Sequence, residues 1–175
     1  GQRLSRAGVP HFSIDPYLRT LIEKGHRVAV AEQMEAATPG KGLVRRQVTR
    51  VVTAGTVLDP QMLDEQNHNY LVCLLADGDE VGLAACDVTT GDFVCTELPN
   101  QEARLAEEIY RFRPSEVVVA GQGTPAVGDL LNLARADGVA VCQRAFGLSL
   151  RQSEEALKKQ FRLKSLQACD LGDRR

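Results

Sequence analysis

The stretch YLVCLLADGDEVGLAACDVTTGDFVCTEL, Tyr70 to Leu98, decides the fold of this chain. It contains three apolar runs, separated by the turn-forming stretches ADGDE and DVTTGD. Short runs of aliphatic and β-branched residues bounded by Gly and Asp are typical of strands joined by tight turns. The pattern therefore predicts an antiparallel meander of three strands, at about residues 69–76, 80–86 and 92–98.

The sequence after the meander alternates helix and strand signals. A helix is predicted from Asn100 to Phe112, with Leu105, Ile109 and Phe112 on one apolar stripe. The strand EVVVA, the helix PAVGDLLNLARADG, the strand VAVC and a helix from about Leu150 to Phe161 follow. Strands separated by single helices require parallel crossovers, so the meander should continue into βαβ units of one mixed sheet. The resulting α/β order, β-β-β-α-β-α-β-α, is that of ribonuclease-H-like folds.

The sequence before the meander predicts a smaller, partial mixed α/β lobe. The stretch SIDPYLRTLIEKG reads as a short amphipathic helix capped by Asp15 and ended by Gly25, and RVAVAEQ reads as a strand. A long strand with four cations, Lys41, Arg45, Arg46 and Arg50, is predicted from Leu43 to about Thr53. Alternation along it places Arg46 and Arg50 on one face, about 13 Å apart at ~3.3 Å per residue.

The chain is thus predicted to contain two lobes joined by a polar connector. We assign residues 1–58 to an incomplete first lobe, residues 59–66, which include Pro60, to a linker, and residues 67–175 to the second lobe. A length of 175 residues with 43 % apolar and 25 % charged residues is ordinary for globular protein of this size.

The charge is distributed unevenly between the two parts of the chain. The formal net charge is −2, but residues 1–50 carry a net +5 and residues 51–175 a net −7. The basic first part is suited to binding a polyanion, whereas the acidic second part is suited to contact with solvent or with another protein. A solvated basic face without a ligand explains the same excess.

Two features predict a cytoplasmic protein without a membrane span. No apolar run approaches the ~20 residues that a span requires, and the first residues lack the apolar stretch of a signal peptide. The five cysteines, an odd number with no pair at C-x-x-C spacing, are predicted to be buried thiols in a reducing compartment rather than disulfides or metal ligands.

The sequence of the second lobe offers two enzymatic interpretations. A nuclease of the ribonuclease-H type needs carboxylates that converge on two divalent ions, but YLVCLLA carries no acid and the fourth strand is followed by Gln122. Asp87 and Asp92 are better explained as turn formers that bond nearby backbone N–H groups. The alternative is a dinucleotide-binding lobe, because Gly121, Gly123 and Ala126 match a G-x-G-x-x-[GA] loop between a strand and a helix. Thr124 as N-cap and Pro125 as first helical residue explain that stretch equally as a helix start.

The remaining residues favour a protein that is not an enzyme. His11, His26 and His68 lie far apart in the sequence, with no partner at a recognised zinc or catalytic spacing, and there is no phosphate-binding G-x-x-x-x-G-K-[ST] loop.

The first lobe also resembles a known family. The blocks that carry the resemblance are Ala7-Gly8-Val9-Pro10, Tyr17-Leu18, Glu32-Gln33, residues 41–46, Val48, Arg50-Val51, Gly55-Thr56, CDVTTGDF and ALKKQFRLKSLQACDL. In their order, the blocks of the first lobe resemble the later part of the mismatch-recognition domain of the bacterial MutS family of DNA mismatch repair proteins, and the second lobe is similar to the family's connector domain.

The chain departs from the family pattern at several points. The family's Phe-x-Glu wedge beside the mispaired base would lie upstream of Gly1, and its loss should remove mismatch discrimination while leaving backbone contacts. His11 precedes Phe12, whereas the family has an aromatic residue followed by His, and Ala54 replaces a common proline.

The resemblance implies a fragment of a larger protein that binds mispaired or looped duplex DNA as a homodimer, recruits MutL and is associated with the nucleoid. ATP and Mg²⁺ would belong to family regions after Arg175, so this chain should need no cofactor or metal of its own. We assign phosphate contact to the four cations and His11, listed as Lys41, Arg45, Arg46, Arg50 and His11. Pairing of Arg45 and Arg46 with Glu32 or Glu35 remains the alternative.

A second interaction surface is predicted on the last helix. Four charged residues, Glu154, Glu155, Lys158 and Lys159, should be exposed opposite an apolar stripe of Leu150, Leu157 and Phe161. The first three of these charged residues are candidates for contact with MutL. A solvated helix face without a partner explains the same pattern.

Overall fold

The computed structural model of the chain describes residues 6–35, 44–63, 67–145 and 147–167. The chain divides into two compact units, residues 1–144 and 145–175. The first unit contains all the described strands of both lobes. The described part of the second unit contains one helix.

The described part of the first lobe contains an α-helix and a two-stranded antiparallel sheet. Helix α1 spans Ile14–Glu23, strand β1 Val28–Gln33 and strand β2 Arg46–Val52. The prediction that Asp15 caps α1 is wrong, because a 3₁₀ turn at His11–Ser13 runs directly into the helix and places Ser13 at the N-cap. The predicted end is confirmed: Gly25 has φ +74° and its N–H donates to Ile22 O at 2.8 Å.

Helix α1 packs against the β1–β2 hairpin through a small apolar core. Among the described residues, the buried side chains of this core are Leu18, Ile22, Val30, Val52 and Val57. Leu18 and Ile22 are four residues apart and therefore lie on one helix face, which is the face that meets the sheet. The burial of Val57 shows that the chain beyond β2 still belongs to this core.

The second lobe has the predicted order of elements. Its strands and helices are β3 Tyr70–Asp77, β4 Glu80–Asp87, β5 Asp92–Pro99, α2 Glu102–Phe112, β6 Glu116–Ala120, α3 Pro125–Ala136, β7 Ala140–Arg144 and, in the second unit, α4 Leu150–Phe161. The three meander strands agree with their predicted bounds to within one residue. The α/β fold class and its ribonuclease-H-like element order are confirmed.

The five strands form one mixed sheet in the order β5-β4-β3-β6-β7. Strands β3, β4 and β5 pair antiparallel, and β6 pairs parallel with both β3 and β7. One face of the sheet carries Val72, Leu74, Val117 and Val119, all buried in the core formed with α2 and α3. Side chains alternate along a strand, so the neighbouring residues Leu71 and Glu116 lie on the opposite face.

Candidate nucleic-acid interface

A β-bulge interrupts the basic strand β2. Val30 of β1 is opposite Arg50, but the next residue, Ala31, is opposite Val48, so Thr49 has no partner in the register. The Thr49 hydroxyl donates to Val30 O at 3.3 Å and thereby holds the extra residue in place. A bulge of this kind shifts the side-chain alternation of the residues beyond it by one.

The bulge overturns the predicted arrangement of the arginines. Residues opposite each other in an antiparallel pair share a face. Arg50 is opposite the buried Val30 and therefore lies on the side of the core, whereas Arg46 is opposite Gln33 on the outer face. The two arginines do not share a face, because simple alternation over residues 46–50 ignores the extra residue.

The arginine side chains of this strand reach solvent. Arg45, Arg46 and Arg50 are all exposed. The alternative, in which Arg45 and Arg46 pair with Glu32 or Glu35, is represented among the described residues by a hydrogen bond from the Arg45 backbone N–H to Glu35 Oε1 at 3.1 Å. Within the described residues, the ion pairs that the structure contains do not involve these three arginines. Exposure makes the three guanidinium groups accessible from solvent.

The other two predicted phosphate contacts are His11 and Lys41. His11 is exposed at the start of the 3₁₀ turn that precedes α1, and the Phe12 side chain beside it is 90 % exposed. The Ser13 hydroxyl donates to Pro10 O at 3.2 Å and closes this turn. Lys41 lies outside the described residues.

The glycine turn between β6 and α3 was the basis of the dinucleotide alternative. Gly121 has φ +76°, a conformation that favours glycine, and so the turn itself accounts for this residue. The Thr124 hydroxyl caps α3 by accepting from Val127 N–H at 3.4 Å, and it lies 2.8 Å from Asn100 Oδ1. The turn thus forms a capped helix start, as predicted from Thr124 as N-cap and Pro125 as first helical residue. Dinucleotide binding here stays a prediction.

Asp87 is a buried carboxylate with hydrogen-bond partners on both oxygens. It is fully buried, and Oδ1 accepts from the Thr89 N–H at 2.9 Å and the Thr89 hydroxyl at 2.6 Å. Oδ2 accepts from the Asn69 N–H and lies 3.1 Å from His68 Nδ1. Burial alone would raise the pKa of Asp87, but these hydrogen bonds outweigh it and hold the pKa well below its usual range. The predicted role of Asp87 as a turn former is confirmed.

Asp92 does not bond the turn backbone as predicted. It accepts a hydrogen bond of 2.5 Å from the Tyr70 hydroxyl, across the sheet. That bond, followed by burial, raises the pKa of Tyr70. The two carboxylates of the turn therefore serve different partners. In the described part of the chain, no group of three or more His, Cys, Asp or Glu side chains is arranged to hold a metal ion.

The predicted partner-binding residues of α4 are engaged within their own helix. Lys158 pairs with Glu154, and Glu155 pairs with Arg151 at 3.0 Å. Leu150 is 87 % exposed, and Glu154 and Lys158 are half-buried, so the predicted separation into an apolar and a charged face is wrong. At 3.6 residues per turn, Glu154 lies only about 60° around the helix from Leu157 and cannot be opposite it.

Sequence reasoning missed the polar contact between the two lobes. Glu116 and Asn69 of the second lobe are both buried, and both bond the turn that follows β2. An acidic residue at the head of the otherwise apolar run EVVVA was the available signal, since buried carboxylates require partners. The identity of the partner, 61 residues away, is not encoded in any local pattern.

Fold and surface together define a two-lobed α/β protein, in which an exposed basic strand precedes a ribonuclease-H-like lobe. Two family models match this chain: MutS domain I over residues 1–61 and MutS domain II over residues 69–173. The chain belongs to the MutS family.

Several relatives support this assignment, all of them named DNA mismatch repair protein MutS. The protein of Methanothrix thermoacetophila is 45 % identical over 116 residues, which are 66 % of this chain and 13 % of the relative. That of Acetivibrio thermocellus is 45 % identical over 69 % of the chain and 14 % of the relative. That of Syntrophomonas wolfei is 36 % identical over 96 % of the chain and 21 % of the relative. The chain therefore spans about an eighth to a fifth of the length of these relatives.

None of the described helices is long and apolar enough to cross a membrane.

Proposed function

We propose that this chain is the part of a mismatch repair protein that contacts the backbone of duplex DNA and connects this contact to the rest of the molecule. One observation carries the proposal: three arginines of β2, Arg45, Arg46 and Arg50, are exposed, and the ion pairs of the described residues leave them out. Family membership supports DNA as the polyanion. Mispaired or looped duplexes are the expected targets of the full-length protein.

The contact is electrostatic and independent of base sequence. Each phosphate that an arginine neutralises releases condensed counterions, so the logarithm of the binding constant falls with the logarithm of salt concentration by about 0.9 per contact. Arg46 and Arg50 lie on opposite faces of the hairpin. Long guanidinium side chains reach a phosphate backbone from either side of a strand, and we therefore expect both to contribute.

Fluorescence anisotropy with a labelled duplex, titrated between low and physiological salt, tests this proposal. Arg46→Ala and Arg50→Ala should each weaken binding and make the salt slope shallower by about one. Arg19→Ala is the matched control, because Arg19 is an exposed arginine of the same lobe that pairs with Glu23 at 3.0 Å. It removes the same charge and should leave the slope unchanged.

The possible results separate a strand-specific contact from a general charge effect. Equal losses in all three variants would contradict the proposal, since only net charge would then matter. Absence of binding by the unaltered chain at low salt would also contradict it. Matched and mismatched duplexes should bind equally, because the proposed contacts are to the phosphate backbone and do not read the bases.

The wider activities of the family complete the proposal. We propose that the full-length protein acts as a homodimer in the cytoplasm, associated with the nucleoid, and that it recruits MutL, for which Glu154, Glu155 and Lys158 remain candidate contacts. ATP and Mg²⁺ would act in regions of the full-length protein other than domains I and II. The chain itself would then carry no catalytic site.

A further inference from the structure

The peptide bond between Ala54 and Gly55 is hydrogen-bonded on both sides by side chains of the second lobe. Its N–H donates to Glu116 Oε2 at 3.1 Å, and its carbonyl oxygen accepts from Asn69 Nδ2 at 3.1 Å. Glu116 is 3 % and Asn69 9 % exposed, so both bonds are shielded from water. Two opposed hydrogen bonds on one planar peptide fix its orientation as well as its position.

The backbone approaches the sheet too closely for a larger residue at this point. A Cβ atom added to Gly55 would lie 2.9 Å from the Leu71 Cβ and 3.1 Å from the Glu116 Cβ. Leu71 and Glu116 are paired across β3 and β6. The turn therefore lies flat on one strand pair of the second lobe.

The turn is also rigid within itself. The Thr53 N–H donates to Thr56 Oγ1 at 3.0 Å, the two threonine hydroxyls lie 2.8 Å apart, and the Thr56 N–H donates to Thr53 O at 3.1 Å. Val52 immediately before this turn and Val57 immediately after it are buried in the core of the first lobe. A rotation of the Ala54–Gly55 peptide would therefore also rotate the core of the first lobe and the basic strand β2.

We propose that Glu116 is a positioning residue, which together with Asn69 clamps the Ala54–Gly55 peptide and sets the orientation of the first lobe on the second. The clamp acts on the arginines of β2 through the backbone and touches no DNA. Its consequence for DNA contact rests on the proposed function, whereas the orientation itself does not.

Residual dipolar couplings of backbone amides test the clamp without DNA, so a failure of the proposed function does not affect the result. Rigidly connected lobes share one alignment tensor. We expect the couplings of residues 14–33 and 46–52 to fit the same tensor as those of residues 70–144 in the unaltered chain. Glu116→Ala should make the two sets diverge, with each lobe still fitting its own tensor.

A conservative variant and a control distinguish positioning from general stability. Glu116→Gln retains an oxygen acceptor for the Gly55 N–H and should restore the common tensor. Glu80→Ala, which removes an exposed carboxylate from the first position of β4, should preserve it. If Glu116→Ala lowers the melting temperature below the measuring range, Asn69→Ala removes the other half of the clamp and gives the same test. A common tensor in the folded alanine variant of either residue would overturn the proposal.

Discussion

At the scale of single residues, Asp87 makes the strongest stability prediction. Asp87→Asn replaces one acceptor oxygen by an NH₂ group, which would face either the Asn69 N–H and His68 or the two Thr89 donors. Hydrogen bonds to a charged group contribute about 1.5–3 kcal/mol. We expect the substitution to lower the free energy of unfolding at pH 7 by about 2–3 kcal/mol, measured by urea denaturation.

The effect of Asp87 should depend on pH in one direction. Its pKa in the folded chain lies below the value of about 3.9 in the unfolded chain. The unfolded state therefore binds the proton first on acidification, and the stability that ionised Asp87 provides is lost as pH falls below about 4. The difference between the unaltered chain and Asp87→Asn should shrink there. The exposed Asp129→Asn serves as control, and an unchanged difference at pH 3 would contradict the assignment.

Local chemistry at individual residues was predictable only where both partners lie in one turn. The role of Asp87 followed from its position two residues before Thr89, because Asp side chains commonly bond the backbone two residues on. The bond from Tyr70 to Asp92 spans 22 residues, and the bond from Gly55 to Glu116 spans 61. Such partners come into contact only once the sheet has formed, and local sequence spacing does not predict them.

At the scale of elements, the C-terminal end of α2 has a strained backbone conformation at Arg113, which a substitution should relieve. Arg113, the C-cap residue, has φ +46° and ψ +58°, in the left-handed region. A side chain in this conformation is unfavourable by roughly 1–2 kcal/mol, and glycine is the usual residue there, although its extra freedom in the unfolded chain offsets part of the gain. We expect Arg113→Gly to raise the melting temperature by about 2 °C. Arg113→Ala, which keeps the Cβ atom, should not raise it.

Elements were predictable where apolar periodicity is regular. The meander strands and their βαβ continuation agreed with the sequence because turn residues and apolar runs alternate cleanly between residues 70 and 144. The prediction for strand β2 of the first lobe contained an error. The bulge at Thr49 has no glycine or proline to mark it, and it reversed the predicted relation between Arg46 and Arg50. An irregularity fixed by a single hydroxyl contact leaves no periodic signal.

At the scale of the whole molecule, the uneven distribution of charge along the chain predicts which part attracts a polyanion. Residues 1–50 carry a net +5 and residues 51–175 a net −7. At 0.1 M salt the screening length is about 10 Å, so each part of the surface responds mainly to its own charges. A short DNA duplex should therefore be attracted to the first part of the chain and repelled by the remainder, despite the overall charge of −2.

Amide chemical shifts recorded during titration with a 15-base-pair duplex would map this attraction. We expect the changes to concentrate in residues 44–50 and around His11, to vanish as salt is raised, and to be absent from the helices α2 and α3. A lysine-rich peptide is the matched probe, and it should shift amides of the second lobe instead. Changes of equal size in both parts of the chain with either probe would show that net charge alone governs association. The separation of the basic strand from the acidic lobe would then have no consequence for DNA contact.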